Sequence, residues 1–348
     1  MKSDIPKVLH TIGGRSLLGH AIDAARGTQP QHLAVVVRHQ RDVVAAHIEQ
    51  FESGATIADQ DEIKGTGRAA ECALDVLPAD LSGTVLVTYG DVPLLATQTL
   101  VDLTSAHEAG GNAVTVLTAE VENPTGYGRI LRDESGSVAG IIEHKDALAA
   151  REAGDAKLAH ALDIREINSG IYAFDAIVLR ESLAKVTTDN AQGEKYLTDV
   201  LALARAAGGR VEAHTITDLW QTEGVNDKVQ LAAMGRELNR RVVAQAMRDG
   251  AIVIDPATTF VDVDVSIGRD TVVQPNTQLR GATTIGARCE IGPDTTLIDT
   301  EVADDASVVR TQANLATIGA GASVGPFSYL RPGTELGAKG KIGGFVET

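Results

Sequence analysis

One carboxylate stands where phosphate chemistry would need it. The stretch Thr88-Tyr89-Gly90-Asp91-Val92-Pro93-Leu94 follows the apolar run Val85-Leu86-Val87. Residues 85 to 88 are short, β-branched and unbroken, which predicts a buried strand of a parallel sheet. Gly90 lets the backbone turn, and Asp91 then emerges at the strand's carboxyl end, where open α/β sheets place their ligands. A carboxylate there is well placed to hold Mg2+ against a phosphate. The same residue also suits a turn or a helix N-cap.

Other candidates are weaker alone. Lys7 lies between Pro6 and Val8-Leu9 and reads as a surface charge or a phosphate-binding cation. Gly65-Thr66-Gly67 permits close backbone approach. Glu143 ends the apolar pair Ile141-Ile142, as a strand-end charge or an acceptor for hydroxyl donors. Asn226 precedes a long helical pattern and suits an N-cap. The two cysteines, Cys72 and Cys289, have no zinc-type spacing and read as small buried hydrophobes. No Ser/His/Asp pattern or histidine cluster points to a hydrolase.

At 348 residues the chain has room for two domains. It is 43% hydrophobic and 22% charged, as expected for a soluble globular protein. Its net charge of −16 argues against nucleic acid or an anionic membrane as the main partner. It does not argue against a phosphorylated substrate, which needs only a few local cations. There is no signal peptide and no run of 18 apolar residues, so the expected location is cytoplasmic.

The elements that must position Asp91 alternate. Helical periodicity over 16–25, 41–51, 71–77 and 97–108 alternates with apolar runs at 33–37, 55–58, 85–88 and 113–117. This predicts a mostly parallel, doubly wound α/β sheet. From Gly128 the pattern shifts to a hairpin, 129–131 with 138–142. A surface helical excursion is expected over 146–161, a core strand at 171–174, a helix at 196–207 and a last strand at 210–215. Residues 227–248 have the period of one long connecting helix that stops at Gly250.

The period then changes to six. Val261, Ile267, Val273, Leu279, Ile285, Ile291 and Leu297 are each six residues apart. Val302 and Val308 continue one residue out of step. After an irregular stretch, 310–317, the period resumes at Ile318, Val324, Leu330, Leu336 and Ile342. This is the hexapeptide pattern of a parallel β-helix, with aliphatic residues inside and small residues at the turns.

Several blocks carry a resemblance. They are Ser3-Asp4-Ile5-Pro6-Lys7-Val8-Leu9-His10, Gln60 with Gly65-Thr66-Gly67, Tyr89-Gly90-Asp91, and Pro124-Thr125-Gly126-Tyr127-Gly128-Arg129-Ile130. Together they resemble the sugar-1-phosphate nucleotidyltransferases. Glu143-His144-Lys145-Asp146, Ile167-Asn168-Ser169-Gly170-Ile171, the blocks 190–194 and 196–199, and Gly224-Val225-Asn226 narrow this. They resemble the bacterial family that joins an N-acetylglucosamine-1-phosphate uridyltransferase to a glucosamine-1-phosphate acetyltransferase. The likeness runs over essentially the whole chain.

The resemblance implies a doubly wound, Rossmann-like nucleotidyltransferase domain over 1–226, lacking that fold's first strand. It also implies a connecting helix at 227–250 and part of a left-handed parallel β-helix at 251–348. The implied reaction is Mg2+-dependent uridyl transfer from UTP to N-acetylglucosamine-1-phosphate, giving UDP-N-acetylglucosamine (UDP-GlcNAc) and pyrophosphate. Such in-line displacement needs alignment and charge neutralisation rather than a covalent intermediate. By resemblance Asp91 and Asn226 are metal ligands and Lys7 holds phosphate. Gln60, Gly65 and Thr66 meet the uracil side, with Tyr89 and Gly90 lining the site. Gly128, Glu143 and Asn168 grip the sugar, and Arg331 in Leu330-Arg331-Pro332-Gly333 resembles a sugar-phosphate-binding arginine of the acetyltransferase site. His144 and Lys145 read as loop residues.

Compared with the family pattern, a leading strand and Gly-rich phosphate loop are missing before Met1. The acetyl-transfer residues expected after Glu347 are missing too. The expectation is a chain impaired in uridyl transfer and without acetyl transfer. Three lost charge-assisted hydrogen bonds would cost about 5–9 kcal/mol. Acetyl-coenzyme A, glucosamine-1-phosphate and a homotrimeric assembly belong to the longer parent. The competing readings are a sugar-1-phosphate nucleotidyltransferase specific for another nucleotide, and a non-catalytic scaffold.

Overall fold

A computed structural model of the chain describes residues 1–155, 160–190 and 192–348. The chain forms two compact units. One comprises Lys2–Leu9 with Leu17–Val225, and the other comprises Met1, His10–Ser16 and Asn226–Thr348.

The second unit opens with a hairpin, β1 (Thr11–Ile12) and β2 (Arg15–Ser16), turning through Gly13-Gly14. The two glycines supply the positive φ angles that a two-residue hairpin turn needs. The strands of the first unit are β3 (Ala34–Val37), β4 (Thr56–Asp59), β5 (Thr84–Val87), β6 (Val114–Glu120), β7 (Arg129–Arg132), β8 (Val138–Ile142), β9 (Glu166–Asp175) and β10 (Val211–Ile216). Its helices are α1 (Leu17–Arg26), α2 (Arg41–Phe51), α3 (Thr66–Asp75), α4 (Thr97–Gly110), α5 (His144–Glu152), α6 (Ala176–Leu183) and α7 (Asp199–Ala206).

The α/β class is the expected one, but strand sense is mixed. The main sheet runs β10-β6-β9-β7-β8, with β5 also on β9. Only β10 and β6 pair in parallel there, while β9 is antiparallel to β5, β6 and β7. A separate parallel pair joins β3 to β4. β5 is thus antiparallel to its partner and half-buried, not the buried parallel strand its apolar sequence predicts. The ten-residue β9 overrides that pattern, because it crosses the sheet centre and supplies a neighbour running the other way. Helix α3 starts at Thr66, within Gly65-Thr66-Gly67, where the sequence places its start. The excursion expected over 146–161 and the block 190–194 lie partly outside the described residues. His144 and Lys145 begin α5 rather than a loop.

The core of this unit forms on both faces of β6 and β9. Val114, Val116, Tyr172 and Phe174 pack with Leu179, Leu183 and Leu201 from α6 and α7. Leu117, Ile171 and Ala173 pack with Leu100 and Leu103 from α4.

In the second unit the long helix α8 (Lys228–Arg248) precedes short strands running from Ile252–Val253 to Lys341–Ile342. They form three parallel faces, each strand pairing with the third one after it. One turn takes 18 residues where Gln278 pairs with Thr296 (296 − 278), three times the six-residue period. It tightens to 17 where Ile285 pairs with Val302 (302 − 285), which puts Val302 and Val308 one residue out of step, and to 16 where Glu301 pairs with Thr317 (317 − 301), across the irregular stretch. The period-six aliphatics form one core, with Val273, Leu279, Ile291, Leu297, Val308, Ile318 and Leu330 fully inside. Two residues before many of them stands a buried threonine: Thr259, Thr271, Thr277, Thr283, Thr295, Thr300 and Thr311. Their hydroxyls donate to nearby carbonyls, as from Thr271 to Gly286 at 2.7 Å. The hydroxyl is therefore satisfied where it is buried. Among the described residues no helix is long and apolar enough to cross a membrane.

Candidate functional site

Asp91 leaves the carboxyl end of β5 and caps no helix. The Lys7 ammonium donates to its Oδ2 at 2.5 Å, 84 positions away in sequence. Lys7 is delivered by a single 3-10 turn, Lys7–Leu9, anchored behind buried Pro6. The Asp91 carbonyl accepts from the Val225 amide at 3.0 Å, which pins the segment around Gly224 beside the carboxylate.

Tyr89 lies against the backbone of β9. Gly170 has φ +80, and a Cβ there would come within 2.2 Å of the Tyr89 ring. Burial first, then the charges of Glu143 and Asp91, push the Tyr89 phenol up to about 12. Tyr89 therefore stays a neutral phenol near neutrality, within electrostatic reach of both carboxylates.

Gly128, Glu143 and Asn168 converge. A Cβ added to Gly128 would stand 3.5 Å from a Glu143 carboxylate oxygen and 3.5 Å from the Asn168 Cβ. The Asn168 amide donates to the Gly128 carbonyl at 2.9 Å. Asn168 Oδ1 accepts from the Tyr172 hydroxyl and from the Gly170 amide, both at 2.9 Å. That fixes the side-chain amide, and among the described residues nothing takes a hydrogen bond from its Nδ2. A bulge opposite Leu117 aims this residue, because the β6–β9 register slips between Val116 and Thr118. The Ser169 hydroxyl fills the gap by donating to the Leu117 carbonyl at 2.6 Å. Sequence reading missed this device, although Ser169-Gly170 inside an apolar run is a bulge signal.

Burial is also the main reason the Glu143 carboxyl lies above its ordinary range, with Asp146 and Asp199 adding to it. Next to it Arg129 is buried. It donates to the Tyr127 carbonyl and approaches His144 Nδ1 at 3.3 Å.

Gln60 follows β4 and donates through Nε2 to the carbonyls of Ile63 and Gly65, each at 3.1 Å. The glycines of 65–67 are needed for close packing. Gly65 has φ +116, and a Cβ there would sit 2.1 Å from the Lys195 carbonyl. The Gly67 amide donates to the same carbonyl at 2.9 Å, and Thr66 Oγ1 accepts from the Leu197 amide at 3.2 Å. Lys195 in turn reaches Glu71 at 2.9 Å, and Arg68 bridges Glu71 and Asp61. This latch joins two blocks that the sequence showed only as separate motifs.

Asn226 begins the second unit, directly after Val225. It does not cap α8, because the Asp227 carboxylate takes the Val229 and Gln230 amides at 2.8 Å. The Asn226 amide donates to Gln230 Oε1 at 2.7 Å. Arg331 lies in the β-helix, exposed, and pairs with Glu347 through Nε at 2.7 Å. Both cysteines are buried, as expected.

Residues 2–228 match the family model described as nucleotidyl transferase. The whole chain aligns at 59% identity with the Bifunctional protein GlmU of Pseudarthrobacter chlorophenolicus, covering 69% of that protein. The Micrococcus luteus protein of the same name is 56% identical, with 71% of it covered. The chain belongs to the bifunctional GlmU family of nucleotidyl transferases. The GlmU of Corynebacterium glutamicum strain R matches at 54% identity over the whole chain and 70% of its own length. A solved UDP-glucose pyrophosphorylase complexed with UDP-glucose is similar with a TM-score of 0.49 at 16% identity, over 61% of this chain and 83% of that one. Membership in the GlmU family makes the chain a nucleotidyltransferase enzyme.

Proposed function

We propose that unit one transfers a uridyl group from UTP to N-acetylglucosamine-1-phosphate, releasing pyrophosphate. The observation that carries this reading is the coupling of two clusters through Tyr89. At one end the Asp91 carboxylate and the Lys7 ammonium suit a metal–phosphate group. At the other, Gly128, Glu143 and Asn168 offer acceptor, donor and space for a sugar with an N-acetyl group.

The residues fit Mg2+. Among the described residues no three His, Cys, Asp or Glu side chains converge on one point. A hard carboxylate oxygen is the kind of donor Mg2+ prefers, and Asp91 offers one that is partly open to solvent. Asp91 would hold the ion, with Asn226 as the second protein ligand. When bound, the metal would neutralise phosphate charge. Lys7 would then exchange Asp91 for a phosphate oxygen and orient it for in-line attack. Glu143 and Asn168 would hold the sugar so that its phosphate oxygen faces the α-phosphate. Gln60 would meet the uracil edge through its amide oxygen. Tyr89 and Gly90 would line the floor between the two ends, and Gly65 and Thr66 would set the wall. Arg331 would bind sugar phosphate in the β-helix unit, which would assemble as a homotrimer.

Pyrophosphate release with UTP, GTP or ATP beside N-acetylglucosamine-1-phosphate tests the reading. The expected result is Mg2+-dependent release with UTP alone, falling at least about a hundredfold, or about 2.7 kcal/mol, in Asp91→Asn. Release with GTP or ATP at the UTP rate, or an unaffected variant, would refute it.

A further inference from the structure

Arg129 is only 1% exposed. A buried guanidinium ordinarily has an anionic partner. Among the described residues no carboxylate pairs with this one, and burial alone pulls it down from its ordinary pKa. Its Nε is buried with no hydrogen-bond partner among the described residues. Holding such a group inside the fold costs stability, and an apolar side chain of similar volume would fill the space at less cost. The reason for an arginine here lies in what its two terminal nitrogens hold.

The strand register shows where they act. Arg129 of β7 pairs with Ile142 of β8 and with Ile167 of β9. One step further along the same antiparallel ladders the row reads Gly128, Glu143 and Asn168. The three residues assigned to the sugar are thus one cross-strand row, in which the Gly128 carbonyl accepts the Asn168 amide at 2.9 Å. Adjacent rows point to opposite faces of a sheet, so Arg129 lies beneath this row.

The row stands at a frayed end. β7 begins at Arg129 and β8 ends at Ile142, so Gly128 and Glu143 lie just outside their strands. Arg129 braces both from below. One terminal nitrogen donates to the carbonyl of Tyr127, the residue before Gly128. The other lies 3.3 Å from Nδ1 of His144, the residue after Glu143. A guanidinium only donates, so Nδ1 accepts and the imidazole is neutral with its proton on Nε2. Burial, then Arg129 and Arg151, hold His144 below its ordinary pKa, in keeping with that state. The Glu143 carbonyl accepts the Ala147 amide at 3.0 Å, so His144 opens α5 and its anchor fixes where that helix starts.

We propose that Arg129 is a positioning residue for sugar recognition: its buried guanidinium ties Tyr127 to His144 and so sets the gap between Gly128 and Glu143 in which the sugar is held. The proposal rests on reading Gly128, Glu143 and Asn168 as the sugar site. Arg129 itself touches no substrate. Gln60 and the loop around Thr66 are held by other contacts, to Ile63, Gly65, Lys195 and Leu197. Sugar affinity should therefore depend on the Arg129–His144 contact while uridine affinity does not.

Calorimetry on the full 348-residue chain with Mg2+ gives the Kd of UDP-GlcNAc and of UDP, and their ratio isolates the sugar's share of binding. In Arg129→Met the Kd of UDP-GlcNAc should rise at least about tenfold with that of UDP little changed, because misplacement by about 1 Å can cost about a hundredfold. His144→Leu should behave likewise. His144→Asn, whose Oδ1 can accept where Nδ1 did, should restore most of the affinity. The histidine pair carries the test if Arg129→Met does not fold. Undiminished sugar preference in Arg129→Met or His144→Leu, a loss of UDP affinity in step with that of UDP-GlcNAc, or equal losses in His144→Leu and His144→Asn would overturn the proposal. A wild-type chain that binds UDP-GlcNAc no tighter than UDP would overturn the sugar reading beneath it, and the proposal with it.

Discussion

Asp91 and Lys7 hold each other at 2.5 Å, and both remain partly open to solvent. In the proposed reaction Asp91 would turn to the metal and Lys7 to a phosphate oxygen. Glu143 makes a different argument. Burial raises its carboxyl above the ordinary value, so the folded chain keeps that proton to higher pH than the unfolded chain does. Its contribution to stability is full below the ordinary carboxylate pKa and is lost as pH rises through the raised folded value. Glu143→Gln removes this dependence. Melting temperatures of the two proteins should differ in favour of the variant at neutral pH, and the advantage should shrink in acid. A difference independent of pH would show that the carboxyl does not titrate in the fold.

Elements place these residues more tightly than sequence spacing reveals. The two halves of the latch, residues 64–67 and 195–197, meet through backbone groups, and Gly65 is the tightest point. Gly65→Ala combines a positive φ with a Cβ 2.1 Å from a carbonyl oxygen. It should cost about 2–4 kcal/mol, read by chemical denaturation. A loss below about 0.5 kcal/mol, the scale of ordinary surface changes, would mean the latch is slack. Sequence periodicity located α1, α2, α4 and the hairpin β7–β8 closely, since each buries one face and its apolar spacing records that. The sense of β5 was not legible, because an unbroken apolar run says that a strand is covered, not which neighbour pairs with it. The bulge at Ser169 and the latch escaped for a related reason: hydrogen bonds between a hydroxyl and backbone 52 or 131 positions away leave no local pattern. Asp91, Lys7 and the Gly128–Glu143–Asn168 cluster were named from motifs, but only the fold brings the last three together.

Across the molecule, two architectures follow from two periods. The first unit's mixed alternation builds a sheet with helices, and the six-residue repeat builds a three-faced prism. The hexad core is a stack in which each aliphatic touches the layers beside it. Ile291 is fully buried in that stack. Ile291→Ala should destabilise the β-helix by about 2–5 kcal/mol, seen as an earlier unfolding transition. Retained stability would mean that the layers do not support one another.

The most direct measurement is thermal stabilisation by UDP-GlcNAc, with and without Mg2+, compared with GDP-mannose and ADP-glucose. Stabilisation by the uridine compound, reduced on chelation and lost in Asp91→Asn, is the predicted result. Equal stabilisation by all three compounds, or an effect that survives in Asp91→Asn, would contradict the account.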